Sequence, residues 1–252
     1  MKFSQLYNEL TSLYPTSLRC EWDNDGMMCA NNIEQEVKRV LISLDVTLDV
    51  VNYAIENKFD TIISHHPLVF RAQKALTPLS YTQNKLIALI KNNVNVMSFH
   101  TRLDAAQGGV NDTLCQLLGL INVEKDPSDP IGRVAYLEPS CELKQFAAHV
   151  KQALSTPVVL YNGEKRVSKV YAVGGDGKDL IENAISLGCD TVLTGRASYN
   201  TAVDACDMGI NIVEAGHFYT ENPVCNTLKN AVLSVCADSE IEIYFSSKIQ
   251  AI

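Results

Sequence analysis

The 252-residue sequence has no Cys-x-x-Cys pair, no apolar run near the length of a membrane span, no block of Lys and Arg, and only five histidines. Each shortage excludes something. The eight cysteines, at 20, 29, 115, 141, 189, 206, 225 and 236, are scattered. That argues against an iron–sulfur cluster or a cysteine-type structural zinc site, and they read as reduced core thiols. The N-terminal apolar residues Phe3, Leu6, Tyr7, Leu10 and Leu13 recur at helical spacing rather than as a signal-peptide block, so a cytoplasmic protein with no membrane partner is expected. With 21 Lys and Arg against 29 Asp and Glu, the net charge of -8 argues against nucleic acid as the main partner. Only 13 glycines and 8 prolines accompany a 46% hydrophobic fraction, which is a globular and not a disordered composition.

What is present is an alternation of short β-branched runs with helical periodicity, the pattern of an α/β fold. Val40–Leu44 reads as a buried strand, Thr47 as the cap of a helix bearing Leu48, Val51, Ala54 and Ile55, and Thr61–Ser64 as the next strand. A helix around Leu86–Ile90, a strand at Val94–Phe99 and a helix from about Val110 follow. The turn formers from Glu124 to Gly132 mark the expected domain boundary. The second half repeats the first: Ala54, Ile55, Asp60 and Thr61 recur at an offset of 130 as Ala184, Ile185, Asp190 and Thr191. Val94–Met97 recurs as Ile210–Val213 at an offset of 116. A duplicated α/β domain is expected.

Four of the five histidines stand just after a predicted strand: His65 and His66, His100, and His217. His149 lies in the helical run Leu143–Leu154 and reads as an ordinary helix residue. In open α/β sheets functional groups collect beyond the carboxyl ends of the strands. Asp104 follows His100 by four residues and Glu221 follows His217 by four. Imidazole with carboxylate suits zinc, manganese, iron or nickel, and adjacent His65 and His66, pointing apart, suit two neighbouring ions better than one. The plain alternative is that a strand-end His-His-Pro shapes a turn and the histidines are hydrogen-bonded core or surface residues. Gly174-Gly175-Asp176-Gly177-Lys178 lacks the spacing of a dinucleotide fingerprint or a P-loop, and Gly108-Gly109 reads first as a tight turn.

At His65-His66-Pro67-Leu68-Val69-Phe70 and Ala215-Gly216-His217-Phe218-Tyr219-Thr220-Glu221 the sequence resembles the Nif-three-like family, also called GTP cyclohydrolase type 2 homologues. Further blocks agree at Trp22–Met27, Ser43–Thr47, His100–Ala106, Gly108–Asp112 and Thr194-Gly195. The resemblance implies two similar, intertwined three-layer α/β/α domains, taken as residues 1–125 with about 215–252, and 126–214. It also implies a ring-shaped homohexamer and a dinuclear site holding two divalent metal ions per chain. Carried over, the ligands are His65, His66, Asp104, His217 and Glu221, with Glu221 touching both ions and His100 beside them. The implied function is metal-dependent hydrolysis of a small, nucleotide or phosphorylated, substrate. A non-catalytic metal-binding regulatory or interaction protein is the alternative. One block departs: Thr194-Gly195 continues into Arg196 where the family has an acid, and ends at Asn200 where it has histidine. Metal binding is expected to survive that change, with Arg196 facing the cleft and favouring an anionic substrate.

Overall fold

A computed structural model describes residues 1–246. In chain order the elements are α1 (Phe3–Leu13), β1 (Gly26–Cys29), β2 (Arg39–Ser43), α2 (Leu48–Glu56), β3 (Thr61–Ser64), α3 (Tyr81–Lys91), β4 (Asn95–Ser98), α4 (Thr101–Ala105) and α5 (Val110–Leu117). Then come β5 (Ile121–Lys125), β6 (Arg133–Cys141), α6 (Leu143–Ala153), β7 (Leu160–Asn162), β8 (Val167–Asp176), α7 (Ile181–Ser186), β9 (Thr191–Arg196), α8 (Tyr199–Asp207), β10 (Asn211–Glu214), α9 (His217–Glu221), α10 (Val224–Val235) and β11 (Glu240–Ile243). Among the described residues they form two compact units: Met1–Leu103 with 224–246, and Asp104–Pro223.

The first unit holds a five-stranded sheet in the order β1-β4-β3-β2-β11, parallel except for β1. Thr47 caps α2 by accepting from the Val50 amide. Alternate strand residues Leu41, Ile62 and Val96 pack with Val50, Val51, Ala54 and Leu89 of α2 and α3. Their neighbours Val40, Ile42 and Ile63 are equally buried and point to the opposite face. On that side α10 lies against β2, and α1 against α10.

The second unit holds a six-stranded sheet in the order β5-β6-β8-β9-β10-β7, with β8, β9 and β10 parallel. One face, carrying Ala135, Val170, Ala172, Leu193 and Val213, buries Leu114, Phe146 and Val150 of α5 and α6. The other, carrying Val134, Tyr171, Val173, Val192 and Ile212, buries Ile181, Ala184 and Ala205 of α7 and α8. Each unit is thus helix, sheet, helix.

The units part at residues other than those expected from the turn formers. Of Glu124–Gly132, Glu124 and Lys125 end β5 and residues 126–132 join it to antiparallel β6, closed by the Asp126 amide on the Gly132 carbonyl at 3.1 Å. Residues 104–125 stay with the second unit because α5 packs on β8, and 215–223 because α9 packs on β8 and β9. Residues 247–252 of the C-terminal segment lie outside the described residues.

The duplication extends to individual hydrogen bonds. Asp60, at the foot of β3, accepts from the Lys38 and Arg39 amides, both at 2.8 Å, and its carbonyl accepts from the Asn95 amide at 2.9 Å. Asp190, at the foot of β9, accepts from the Ser168 and Lys169 amides at 3.0 and 2.8 Å, and its carbonyl from the Asn211 amide at 2.8 Å. By this register β3 corresponds to β9 and β4 to β10. The positions after the first pair are His65-His66 in one unit and Gly195-Arg196 in the other.

Candidate metal centre

In the first unit three imidazoles gather beyond β3 and β4. Ring centroids lie 4.9 Å apart for His65 and His66, 5.3 Å for His65 and His100, and 5.6 Å for His66 and His100. One ring nitrogen from each lies within 4.8 Å of the other two, close enough to serve an ion. His65 is fully buried.

Each ring is oriented through Nδ1. His65 Nδ1 donates to the Phe99 carbonyl at 2.9 Å, His66 Nδ1 to Asp45 Oδ1 at 2.8 Å, and His100 Nδ1 to Asp23 Oδ1 at 2.8 Å. A neutral ring that donates through Nδ1 carries its lone pair on Nε2. Ligating histidines are held in this way, their second nitrogen tied to a carbonyl or carboxylate. The donor set therefore fits a divalent ion of the zinc, iron, manganese or nickel kind.

Asp23 and Asp25 grip the turn that carries His100. Asp23 Oδ2 accepts from the Thr101 amide and hydroxyl at 3.1 and 2.6 Å. Asp25 Oδ2 accepts from the His100 amide at 3.2 Å and from Arg102 Nε at 2.8 Å. Burial works against the Asp23 charge, but the bonds from His100 and Thr101 outweigh it and hold the carboxyl at about 2. The buried Arg102 guanidinium finds its counter-charge in Asp25 and lies 4.4 Å over the Phe99 ring.

In the second unit His217 Nε2 and Glu221 Oε2 meet at 2.8 Å, one turn apart on α9. Glu221 is buried, and His217 is more open. The glycines of β8 make room for them. A Cβ on Gly175 would stand 2.2 Å from Glu221 Oε1 and 3.3 Å from His217 Nε2, and one on Gly174 would stand 3.2 Å from Glu221 Cγ. Thr220 ties α9 down, its hydroxyl accepting from the Gly175 amide at 3.1 Å. Asp104, also buried, stands in the last turn of α4, and the buried Arg133 guanidinium caps that helix by donating to the Ala105 and Ala106 carbonyls at 3.2 and 3.0 Å. Asn111 links α5 to β8, accepting from the Gly174 amide at 2.7 Å.

The sequence-predicted residues thus stand as follows. His65, His66 and His100 converge within the first unit; His217 and Glu221 converge within the second, where Asp104 also lies. His149 on α6 bonds to the Leu118 carbonyl at 3.0 Å, as an ordinary helix residue does. Arg196 is exposed at the end of β9, and Asn200 is exposed in the first turn of α8. Gly174-Gly175 serves as space for Glu221. Sequence reasoning assigned no role to Asp23, Asp45, Asn111 or Arg133. Asp23, Asp45 and Asn111 lie in the blocks quoted for the resemblance, which was the signal available.

Comparison with known proteins bears on the family and the fold. A family model described as Duf34/NIF3 (NGG1p interacting factor 3) matches residues 1–251. The GTP cyclohydrolase 1 type 2 homolog of Clostridium perfringens is 33% identical, over 98% of this chain and 97% of the relative. The crystal structure of a Bacillus cereus protein related to NIF3 superposes with a TM-score of 0.90 at 24% identity, covering 100% of this chain and 99% of that one. Reduced HcgD from Methanocaldococcus jannaschii superposes with a TM-score of 0.85 at 26% identity, covering 96% and 97%.

Proposed function

The chain belongs to the DUF34/NIF3 family, and on that premise we propose that it is a metal-dependent hydrolase of a small nucleotide or phosphorylated substrate. In this reading His65, His66, Asp104, His217 and Glu221 hold two divalent ions, Glu221 touching both. The observation that carries it is the set of three imidazoles in the first unit, each donating through Nδ1 to a fixed acceptor. Three such bonds at neighbouring strand ends exceed what shaping a turn requires.

Bound divalent ions make water acidic enough to attack near neutral pH and steady negative charge developing on a substrate oxygen. The residues of this chain supply the rest. Asp45 and the Phe99 carbonyl keep the His66 and His65 rings from rotating. Asp23, ionised down to about 2, fixes the Nδ1 proton of His100 and so presents Nε2 as an acceptor beside the other rings. Gly174 and Gly175 leave Glu221 its place, and Arg133 fastens the helix that carries Asp104.

Among the described residues no helix is long and apolar enough to cross a membrane. We take the working form to be a cytoplasmic homohexamer.

The test is metal stoichiometry on protein purified without added metal. Wild type is expected to carry two ions per chain. Glu221→Gln keeps the shape but removes charge, and both ions bind more weakly; His217→Ala weakens one preferentially. Two ions retained by Glu221→Gln, with both lost from His217→Ala, would overturn the bridging assignment. A screen of nucleotide, phosphorylated and cyclic amide substrates, with chelator and metal restoration, then decides for or against hydrolysis.

A further inference from the structure

Trp22 is the one tryptophan of the chain and is 65% exposed, and Phe70 is 48% exposed. Tryptophan is on average among the more buried residues. Here it is held in the open beside the histidine cluster. The Trp22 and Phe70 centroids lie 6.2 Å apart at 64°, and each also meets His100, at 6.2 Å and 78° for Trp22 and at 6.3 Å and 88° for Phe70. Edge-to-face contacts of this kind use one face of one ring in each pair, and the exposure of Trp22 and Phe70 leaves further ring surface open to solvent.

The pair is fixed by its surroundings. Next to Trp22, Asp23 is bonded to both His100 and Thr101, and its amide closes a turn on the Cys20 carbonyl at 3.1 Å. The Cys20 amide in turn donates to Thr101 Oγ1 at 3.0 Å. The Asn24 side-chain amide donates to the Val69 carbonyl, joining the loop of Trp22 to the segment that carries Phe70. Glu21 beside Trp22 in sequence, Asn24 two residues on, and Arg71 beside Phe70 are polar and exposed. Small-molecule sites in general pair apolar rings with a few polar groups that set specificity.

We propose that Trp22 and Phe70 form a stacking platform for a fused heteroaromatic ring, such as a purine, that sets the substrate beside the histidine cluster. This rests on the reading above in taking that cluster as the reacting centre, and it narrows the substrate to molecules bearing a planar unsaturated ring. Base–aromatic stacking holds a ring by its π-face whatever its edge substituents, so the platform supplies affinity and orientation.

Selective excitation of tryptophan reports on Trp22 alone. The full chain, loaded with zinc, which has no redox chemistry of its own, is titrated with guanosine, adenosine and ribose 5-phosphate. Saturable quenching by both nucleosides and none by ribose 5-phosphate is expected. Phe70→Ala and Phe70→Leu should weaken the nucleosides roughly tenfold. Equilibrium dialysis of labelled guanosine should show Trp22→Phe binding close to wild type, with Trp22→Ala about tenfold weaker or more. Zinc content should be unchanged in all four variants.

The platform is overturned by any of three results: no saturable response to either nucleoside, an equal response to ribose 5-phosphate, or Trp22 emission that follows protein concentration in step with mass by light scattering. The last would make a second copy of the chain the occupant. Nucleoside quenching in a protein that takes up no zinc would refute the metal reading and leave the platform standing. Zinc uptake without quenching would do the reverse.

Discussion

Gly175→Ala separates backbone strain from the space that Glu221 needs. Gly175 has a φ of +66°, and a Cβ there would stand 2.2 Å from Glu221 Oε1 where ordinary contact begins at 3.4 Å. The carboxylate must retreat by about 1 Å, several times the tolerance of roughly 0.2 Å on a metal–ligand distance. Because the crowded atom is the end of a flexible side chain, the protein should fold while Glu221 swings aside. The left-handed alanine itself costs about 1–2 kcal/mol. Gly188→Ala is the matched control, with a φ of +68° and nothing within 4 Å of its Cβ. Both variants should therefore melt lower by a comparable amount, about 2–4 °C per kcal/mol in a chain of this size. Only Gly175→Ala should lose metal affinity, by at least about tenfold, the usual effect of disturbing the support of a ligand. Thermal unfolding read beside metal titration gives both numbers. Equal metal affinity in the two variants would refute the steric argument and, with it, the place given to Glu221.

Three further outcomes are expected. Asp126 accepts from the Ser128 amide and hydroxyl, from Tyr171 Oη and from Asn183 Nδ2 at 2.6–2.9 Å; burial opposes its charge, but these bonds bring the carboxyl to about 2. A depressed carboxyl stabilises the fold above its unfolded value near 3.8 and loses that contribution as pH falls toward about 2, so Asp126→Asn should cost about 2 kcal/mol at neutral pH in denaturant unfolding. The difference from wild type should shrink below pH 4 or so, and a difference constant with pH would contradict this. Arg196→Glu should weaken anionic substrates while leaving metal content intact, because guanidinium binds phosphate or carboxylate bidentately; unchanged affinity for every anion tested removes Arg196 from recognition. Light scattering should give six chains per particle, and a monomer at micromolar concentration would contradict the hexamer.

The sequence carried the parallel strands and the strand-end histidines because both are local signals. Thr61–Ser64 coincides with β3, Val94–Phe99 brackets β4, and the few histidines stand where buried β-branched runs stop. The supporting shell is non-local, and that is why it was missed. Asp45 reaches His66 across 21 residues, and Asp23 reaches His100 across 77. Gly174-Gly175 had no role in the sequence reading beyond lacking the spacing of a phosphate loop, because nothing nearby reveals that Glu221 arrives from 46 residues beyond Gly175. The fully exposed β5 and the three-residue edge strand β7 lack the buried run that marks a strand in sequence. The domain boundary was misplaced for a related reason: turn formers between Glu124 and Gly132 signal a reversal of the chain, and a hairpin reverses it as well as a linker does.

The register shared by Asp60 and Asp190 has a historical consequence. If one ancestral unit was copied, the two copies have since become mutually exclusive solutions to the same position. His65 in one copy corresponds to Gly195 in the other, where a Cβ would strike the Gly175 carbonyl at 2.6 Å, Thr220 Oγ1 at 2.6 Å and His217 Cα at 2.8 Å. The second copy traded an imidazole on its strand for the close approach of a helix that carries one. Reversion at Gly195 is therefore closed while α9 stays where it is, and a second copy of the first unit in place of the second would lack His217.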